Sequence, residues 1–365
     1  VSGFDALINL GRKATRRLQA SHKPVVRLLR RRQRADEHRA FRDDAEDISR
    51  ELARIAAAPG PIVAGPWLAE VGYEVLYWIP FLRWFQDAHG VGRDRLVILS
   101  RGGMEPAYRE LTDRYVDIFD LISPTDLGAR NRSRQADEEG GGQKQSSVSA
   151  LDADLLAGAR ARHSIGEATL LHPSLMFRLF RHVWHGNLPY DVLWRHTRFA
   201  AGARAPVTSA PAYAAGLPAD FIAAKIYGGP ALSAAGATRE AVRRIVAHAA
   251  SVAPVVLLET EIGVDEHRDF DLLDLPNVTT ARAFMTPRTN LGVQLDLLAR
   301  SRYFLGSCGG LAWVAPFLGV PTVALYDDDR LLAPHLYVAR QAGAAAQAAP
   351  FTAFDVRVLD RIGLT

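Results

Sequence analysis

Residues 301–329, SRYFLGSCGGLAWVAPFLGVPTVALYDDD, read as strand, turn, helix and strand with almost no slack between them. Tyr303, Phe304 and Leu305 are a β-prone run, and Gly306-Ser307-Cys308-Gly309-Gly310 is a turn that only small residues fill. Leu311 opens a helix that Gly319 ends as a left-handed C-cap, and Val320 to Tyr326 follows as an apolar strand buried on both faces. The unit is therefore a βαβ crossover in a parallel sheet. Small residues between a strand and a helix N-terminus let backbone N–H groups approach an anion, with the helix dipole adding partial positive charge. The turn lacks both the Lys-Ser/Thr ending of a P-loop and the GxGxxG spacing of dinucleotide folds. A tight turn with no ligand remains the alternative.

A chain of 365 residues exceeds one ordinary core and points to two domains plus extensions. With 48% hydrophobic and 23% charged residues the composition is ordinary for a globular protein. No apolar run approaches the roughly 18 residues of a membrane span, and no apolar core follows the charged first residues. A cytoplasmic protein is the expectation. The single cysteine, Cys308, excludes an intrachain disulfide and fits a reducing compartment.

Charge is uneven. Between Arg12 and Arg42 there are twelve Lys or Arg against Asp36 and Glu37, a surplus of ten in a chain whose total is +4, so the rest is net acidic. Residues 1–58 are read as a basic helical arm. Phe4, Leu7, Ile8, Leu10, Ala14 and Leu18 recur at helical spacing among the basic residues, which suits either an anionic membrane surface, through residues 1–42, or docking on the protein's own body. Nucleic acid is not an expected partner, because the arm has no interleaved aromatics and nothing downstream reads as a base-recognition module.

Residues 59–205 read as a first α/β domain. Ile62-Val63-Ala64 is a strand, Val75 to Phe85 is a helical run that Pro80 should kink or divide, and RLVILS (95–100) is a second strand with Gly102-Gly103 as its exit turn. Residues 131–149 lack apolar periodicity and contain three successive glycines, which predicts a mobile loop. Residues 206–218, rich in Pro, Ala and Gly, are the expected linker. Residues 219–350 form a second domain, with strands at Phe221–Tyr227, Val255–Glu259 and Asn277–Thr279 and helices near 238–251 and 290–299; residues 351–365 read as a tail. Ligands in such sheets bind beyond the C-terminal strand ends, which here carry Tyr227, Glu259, Leu305 and Tyr326.

Ser307-Cys308-Gly309-Gly310, the apolar helix 311–318 and Gly319-Val320-Pro321-Thr322 give the C-terminal half a resemblance to the donor domain of GT-B glycosyltransferases, nearest in pattern to the ADP-heptose transferases. EVGYEVLYWIPFLRW (70–84) is similar to a motif of uncharacterised bacterial glycosyltransferase-like proteins. The resemblance implies two Rossmann-like domains facing across a cleft, a nucleotide sugar bound in the second and a glycan or lipid-linked acceptor in the first. Such a transfer needs a base for the acceptor hydroxyl and positive charge or dipoles for the departing diphosphate. Glu70 is the first candidate base and Glu74 the second, although an acid in a helix's first turn is favoured by the dipole anyway. The backbone of Ser307, Cys308, Gly309 and Gly310 is the candidate diphosphate grip, assisted by Lys225. Tyr227, Glu259, Arg288 and Asn290 are further donor-side candidates, with capping the ordinary alternative for Asn290. His267 flanked by acids reads as a surface residue. The spacing of His172, His182 and His185 matches no metal signature, and neither metal nor cofactor is expected. Asp327-Asp328-Asp329 reads as a loop near the sugar, and Trp313 and Trp184 as core. The absence of a glutamate-rich donor motif favours an inverting transfer, with an envelope or capsule glycan as the expected acceptor. Nucleotide-sugar 2-epimerases, polysaccharide pyruvyl transferases and a non-catalytic glycan-binding module are the competing readings.

Overall fold

Strand segments that are apolar on both faces need helices on each side of the sheet, and the chain satisfies this twice. The computed structural model describes residues 39, 41–137, 145–201, 215–260, 262 and 268–361. The first lobe comprises α1 (41–57), β1 (Ile62–Ala64), α2 (Val71–Tyr73), a π-helical turn (Glu74–Trp78), α3 (Ile79–His89), β2 (Leu96–Ser100), α4 (Glu105–Tyr108), β3 (Tyr115–Asp117), α5 (Pro124–Asp137), α6 (Ala150–His163), β4 (Thr169–Leu171), α7 (Ser174–Trp184) and α8 (Asp191–Arg195). Its four strands are parallel in the order β3-β2-β1-β4, with Val63 beside Val97 and Leu170.

The second lobe comprises β5 (Ile222–Lys225), β6 (Tyr227–Gly228), α9 (Gly236–Val252), β7 (Val255–Leu257), β8 (Arg268–Asp269), β9 (Val278–Thr280), α10 (Asn290–Arg300), β10 (Tyr303–Ser307), α11 (Leu311–Val314), β11 (Thr322–Tyr326), α12 (Ala333–Ala345), β12 (Phe351–Asp355) and α13 (Arg357–Arg361). Six strands run parallel in the order β12-β11-β10-β5-β7-β9, and β6 and β8 form a separate antiparallel pair. The fold is therefore α/β with two parallel-sheet lobes, the arrangement expected from the sequence. β10, α11, the 3₁₀ turn 315–318 and β11 form the predicted crossover, closed by Gly319 at φ 77°.

Several boundaries differ. Residues 41–57 of the expected arm belong to the body, because Ile48, Leu52 and Ile55 line one helical face and are buried in the core. Asp44 anchors the same helix by ion pairs to Arg178 and Arg181 on α7. The basic stretch of residues 1–38 lies outside the described residues. The segment expected to be a loop from 131 is helical to Asp137, since its inward face is polar: Asn131 and Arg134 are buried and bonded to each other. Gln145 is also buried, accepting from Leu68 N–H at 2.9 Å and donating to Pro66 C=O at 2.9 Å; residues 138–144 lie outside the described residues. Most of the expected linker, 206–214, lies outside them too. The expected tail supplies β12, which pairs with β11 along five residues, because Phe351 to Asp355 can complete the sheet edge. Pro80 divides the helical run, the second of the two expected outcomes: the π turn ends at Trp78 and Pro80 sits in the first turn of α3.

The lobes meet along one face. Gly102 C=O of the first lobe accepts from the amides of Leu291 (2.8 Å) and Gly292 (3.0 Å) at the start of α10. His335 of α12 stands between two phenols of the first lobe, Tyr73 at 2.8 Å and Tyr77 at 2.5 Å. Gly72 in α2 lies against the glycine turn: a Cβ there would stand 2.6 Å from Trp313 Cδ1 and 2.8 Å from Gly310 N. Gly72→Ala is therefore expected to cost about 1–3 kcal/mol in urea unfolding. Gly158→Ala in α6, where a Cβ would have its nearest neighbour at 3.8 Å, should be neutral or stabilising. Equal effects from the two substitutions would contradict this packing.

Candidate functional site

The C-terminal ends of β1, β2, β5 and β10 converge on a cavity between the lobes with about 120 Å³ of room. Glu70 and Arg101 reach it from the first lobe, and Lys225, Tyr227, Asp269, Asn290, Gln294 and Gly310 from the second. Glu70 precedes α2 in extended conformation with φ −65° and ψ 148°, and its side chain does not cap that helix. Lys225 ends β5 and pairs with Asp269 of β8 at 2.8 Å, both side chains being largely buried. Arg101, 5% exposed, donates to Ala69 C=O at 3.1 Å, which holds the guanidinium beside the Glu70 segment. The walls thus carry two cations and two carboxylates.

The glycine turn is only partly open to this cavity. Gly309 and Gly310 have φ 134° and 43°, which disfavour other residues, and the Tyr227 hydroxyl would lie 3.1 Å from a Cβ at either position. No oxygen among the described residues accepts from the N–H of Gly309 or Gly310. The Cys308 amide is spent internally, contrary to expectation, and the Ser307 side chain is committed as well. The Ser307 hydroxyl donates to Tyr227 C=O and accepts from Tyr227 N–H, both at 2.8 Å, tying β10 to β6. Cys308 donates its amide to Leu325 C=O at 2.8 Å, and burial pushes its thiol up to about 12.

Other expected residues are held elsewhere. Glu259 is buried and paired with Arg282 at 2.6 Å, so it neither lines the cavity nor ends its strand in water. Arg288 points to solvent and bridges the lobes through Asp120 at 2.9 Å. Asn290 lines the cavity as the first residue of α10, and its amide donates to Pro287 C=O at 2.6 Å rather than capping the helix. Asp327 accepts from Ser233 N–H and the Thr238 hydroxyl, and Asp328 pairs with Arg330, so that loop is committed to local structure. Trp313 and Trp184 are buried in the core, as expected. His267 lies outside the described residues. Among the described residues no group of three or more His, Cys, Asp or Glu is arranged to hold a metal. No helix among them is long and apolar enough to cross a membrane.

Glu74, the second candidate base, is 1% exposed and lies beneath the cavity rather than in it. The hydroxyls of Ser100 and Tyr108 each donate to its Oε1 at 2.5 Å, while Oε2 has no partner among the described residues. Burial raises its pKa to about 7 against the opposing effect of those bonds and of Arg101. The hydrophobic pattern did not flag Arg101, Asp269 or Gln294. Arg101 follows RLVILS at the end of its strand, the same position that singled out Lys225, so strand-edge reasoning applied evenly would have found it. Asp269 comes from a two-residue strand with no periodicity to read.

No protein-family model and no curated protein matches the chain. Among solved structures it is similar to an E. coli heptosyltransferase, WaaC, bound to ADP (13% identity, 84% of this chain and 99% of that one, TM-score 0.42). It is also similar to a glycosyl transferase of family 9 from Veillonella parvula (14% identity, 85% and 89%, TM-score 0.41). A third is a putative UDP-N-acetylglucosamine 2-epimerase from Listeria monocytogenes (13% identity, 84% and 95%, TM-score 0.35). With TM-scores below 0.5, these likenesses carry no argument about chemistry.

Glu74 sets a pH dependence. Its folded pKa of about 7 lies above the ordinary 4.5, so the folded protein holds this proton more tightly than the unfolded chain does. The carboxyl carries no ionisation penalty below pH 4.5, and a penalty accumulates as pH rises towards 7. That penalty is at most ~3 kcal/mol. Urea unfolding at several pH values should show a downward slope across this window that Glu74→Gln removes; an unchanged slope would contradict the assignment.

Proposed function

We propose that the protein is a glycosyltransferase that moves a sugar from a nucleotide-sugar donor to a hydroxyl of a bacterial envelope or capsule glycan, with inversion and without a cofactor. The observation that carries this reading is one cavity at the strand ends of two parallel-sheet lobes, with Glu70 on one wall and Lys225 and Gly310 on the other. Glu70 takes the proton from the acceptor hydroxyl as its oxygen attacks the anomeric carbon. The bond from that carbon to the phosphate oxygen breaks, and negative charge grows on the departing nucleoside diphosphate. Lys225, Arg101 and the amide of Gly310, all lining the cavity, stabilise it. Asp269 keeps the Lys225 ammonium directed into the cavity through their ion pair. Tyr227, over the glycine turn, and Asn290 line the same cavity and contact the donor in this reading.

A cavity of about 120 Å³ is smaller than the roughly 300–1,000 Å³ of ordinary ligand pockets. Donor entry therefore requires the lobes to separate, with closure around the bound nucleotide completing the site. The basic stretch of residues 1–42 would hold the enzyme near an anionic membrane surface and a lipid-linked acceptor. The competing epimerase reading places acids around the sugar ring, and Glu70 with Asp269 would be that pair; it requires no acceptor and yields an isomerised donor.

A thermal-shift screen with nucleoside diphosphates and nucleotide sugars is expected to find protection by one nucleotide family. Lys225→Gln should lose that protection. Glu70→Gln should keep it while lowering the transfer rate by about 10²–10⁴. Absence of protection by any nucleotide, or full activity in Glu70→Gln, would overturn the reading, and an isomerised donor without acceptor would favour the epimerase.

A further inference from the structure

α10 has two working faces. Leu291 and Gln294 look into the candidate site, whereas Gly292, Leu295 and Ala299 line a second recess of about 340 Å³. This recess also lies between the lobes. Its walls are Ile79 and Pro80 of α3, Ala107 of α4, Phe199, and Val314 and Phe317 from the segment after the glycine turn. Its size falls within the range of small-molecule pockets, and its lining is predominantly apolar with a few polar groups. Nothing in the proposed transfer reaction uses it.

The polar groups are asymmetric in charge. Glu110 is paired with Arg83 at 3.2 Å and Asp296 with Arg300 at 2.9 Å, so both carboxylates are neutralised. Arg109 is exposed, lines the recess and has no acidic partner among the described residues. Arg83 Nε is buried there without a hydrogen-bond partner among those residues. An occupant that satisfies the recess has an apolar body for the walls and an anionic head for Arg109, with an acceptor for Arg83 Nε.

We propose that this recess, lined by Leu295, Val314, Phe317, Arg83 and Arg109, binds one molecule of a single-chain amphiphile with an anionic head group. Because the walls come from both lobes, the bound chain packs against each of them at once. Binding stabilises the arrangement in which the lobes are together, by mass action on whichever state presents the complete recess.

The test is calorimetric titration of the full chain with octanoate, decanoate and 1-octanol. Saturation at one molecule per chain is expected, with decanoate binding about tenfold more tightly than octanoate for its two extra methylenes. Arg109→Gln should weaken octanoate about tenfold and leave 1-octanol unchanged. Ala299→Phe and Ala107→Phe fill the recess from opposite walls, and each should abolish binding; two variants guard against one failing to fold. The proposal is overturned by lack of saturation, by wild-type affinity in a folded recess-filling variant, or by equal weakening of octanoate and 1-octanol in Arg109→Gln.

Discussion

The close approach of two backbones at Gly72 and Gly310 is the constraint on which the rest of the structure depends. A side chain at Gly72 would collide with Trp313 and the Gly310 amide, and one at Gly309 or Gly310 would meet the Tyr227 hydroxyl while adopting an unfavourable φ. Backbone contact at this point lets α2 sit directly over the turn between β10 and α11. That placement brings Glu70, which immediately precedes α2, to the same cavity as Gly310. The lobes are held at this spacing by Gly102 accepting from the start of α10 and by His335 between Tyr73 and Tyr77. A hydrophobic core running from Phe81 through Trp313 to Phe304 reinforces the arrangement.

The electrostatics of the site follow from how few charges are buried without partners. Lys225 and Asp269 neutralise each other across β5 and β8, and Glu259 is answered by Arg282 outside the cavity. Arg101 contributes twice. It lines the cavity, and its charge opposes the burial that raises the Glu74 pKa beneath. Glu74 lies beneath the cavity, and the carboxylates that line it are Glu70 and Asp269.

The crossover around Gly306 to Gly319 was legible because its signals are local: small residues at a turn, an apolar helix, a glycine stop and a β-branched strand. Strands such as Ile62–Ala64 and Leu96–Ser100 were legible for the same reason. The roles of Ser307 and Cys308 were not. Whether a hydroxyl meets a ligand or a backbone depends on what β6 places opposite it, and that is a long-range fact. Buried polar residues misled in the same way: Asn131 and Arg134 on α5 look like loop chemistry until Asn131 is seen to bond Leu68 and Arg134, and the burial of Gln145 shows only once its partner Pro66 is in place. β12 was missed because a strand at a sheet edge declares itself through its neighbour β11 rather than through its own pattern.

In the proposed function the lobes part to admit a ligand larger than the present cavity. Hydrogen exchange at the amides of Leu291 and Gly292 tests it most directly, since both donate across the lobe boundary to Gly102. These two amides should exchange through an opening that leaves Val63 in β1 and Leu305 in β10 protected. Exchange of all four only through global unfolding would mean that the lobes do not separate, and would contradict it.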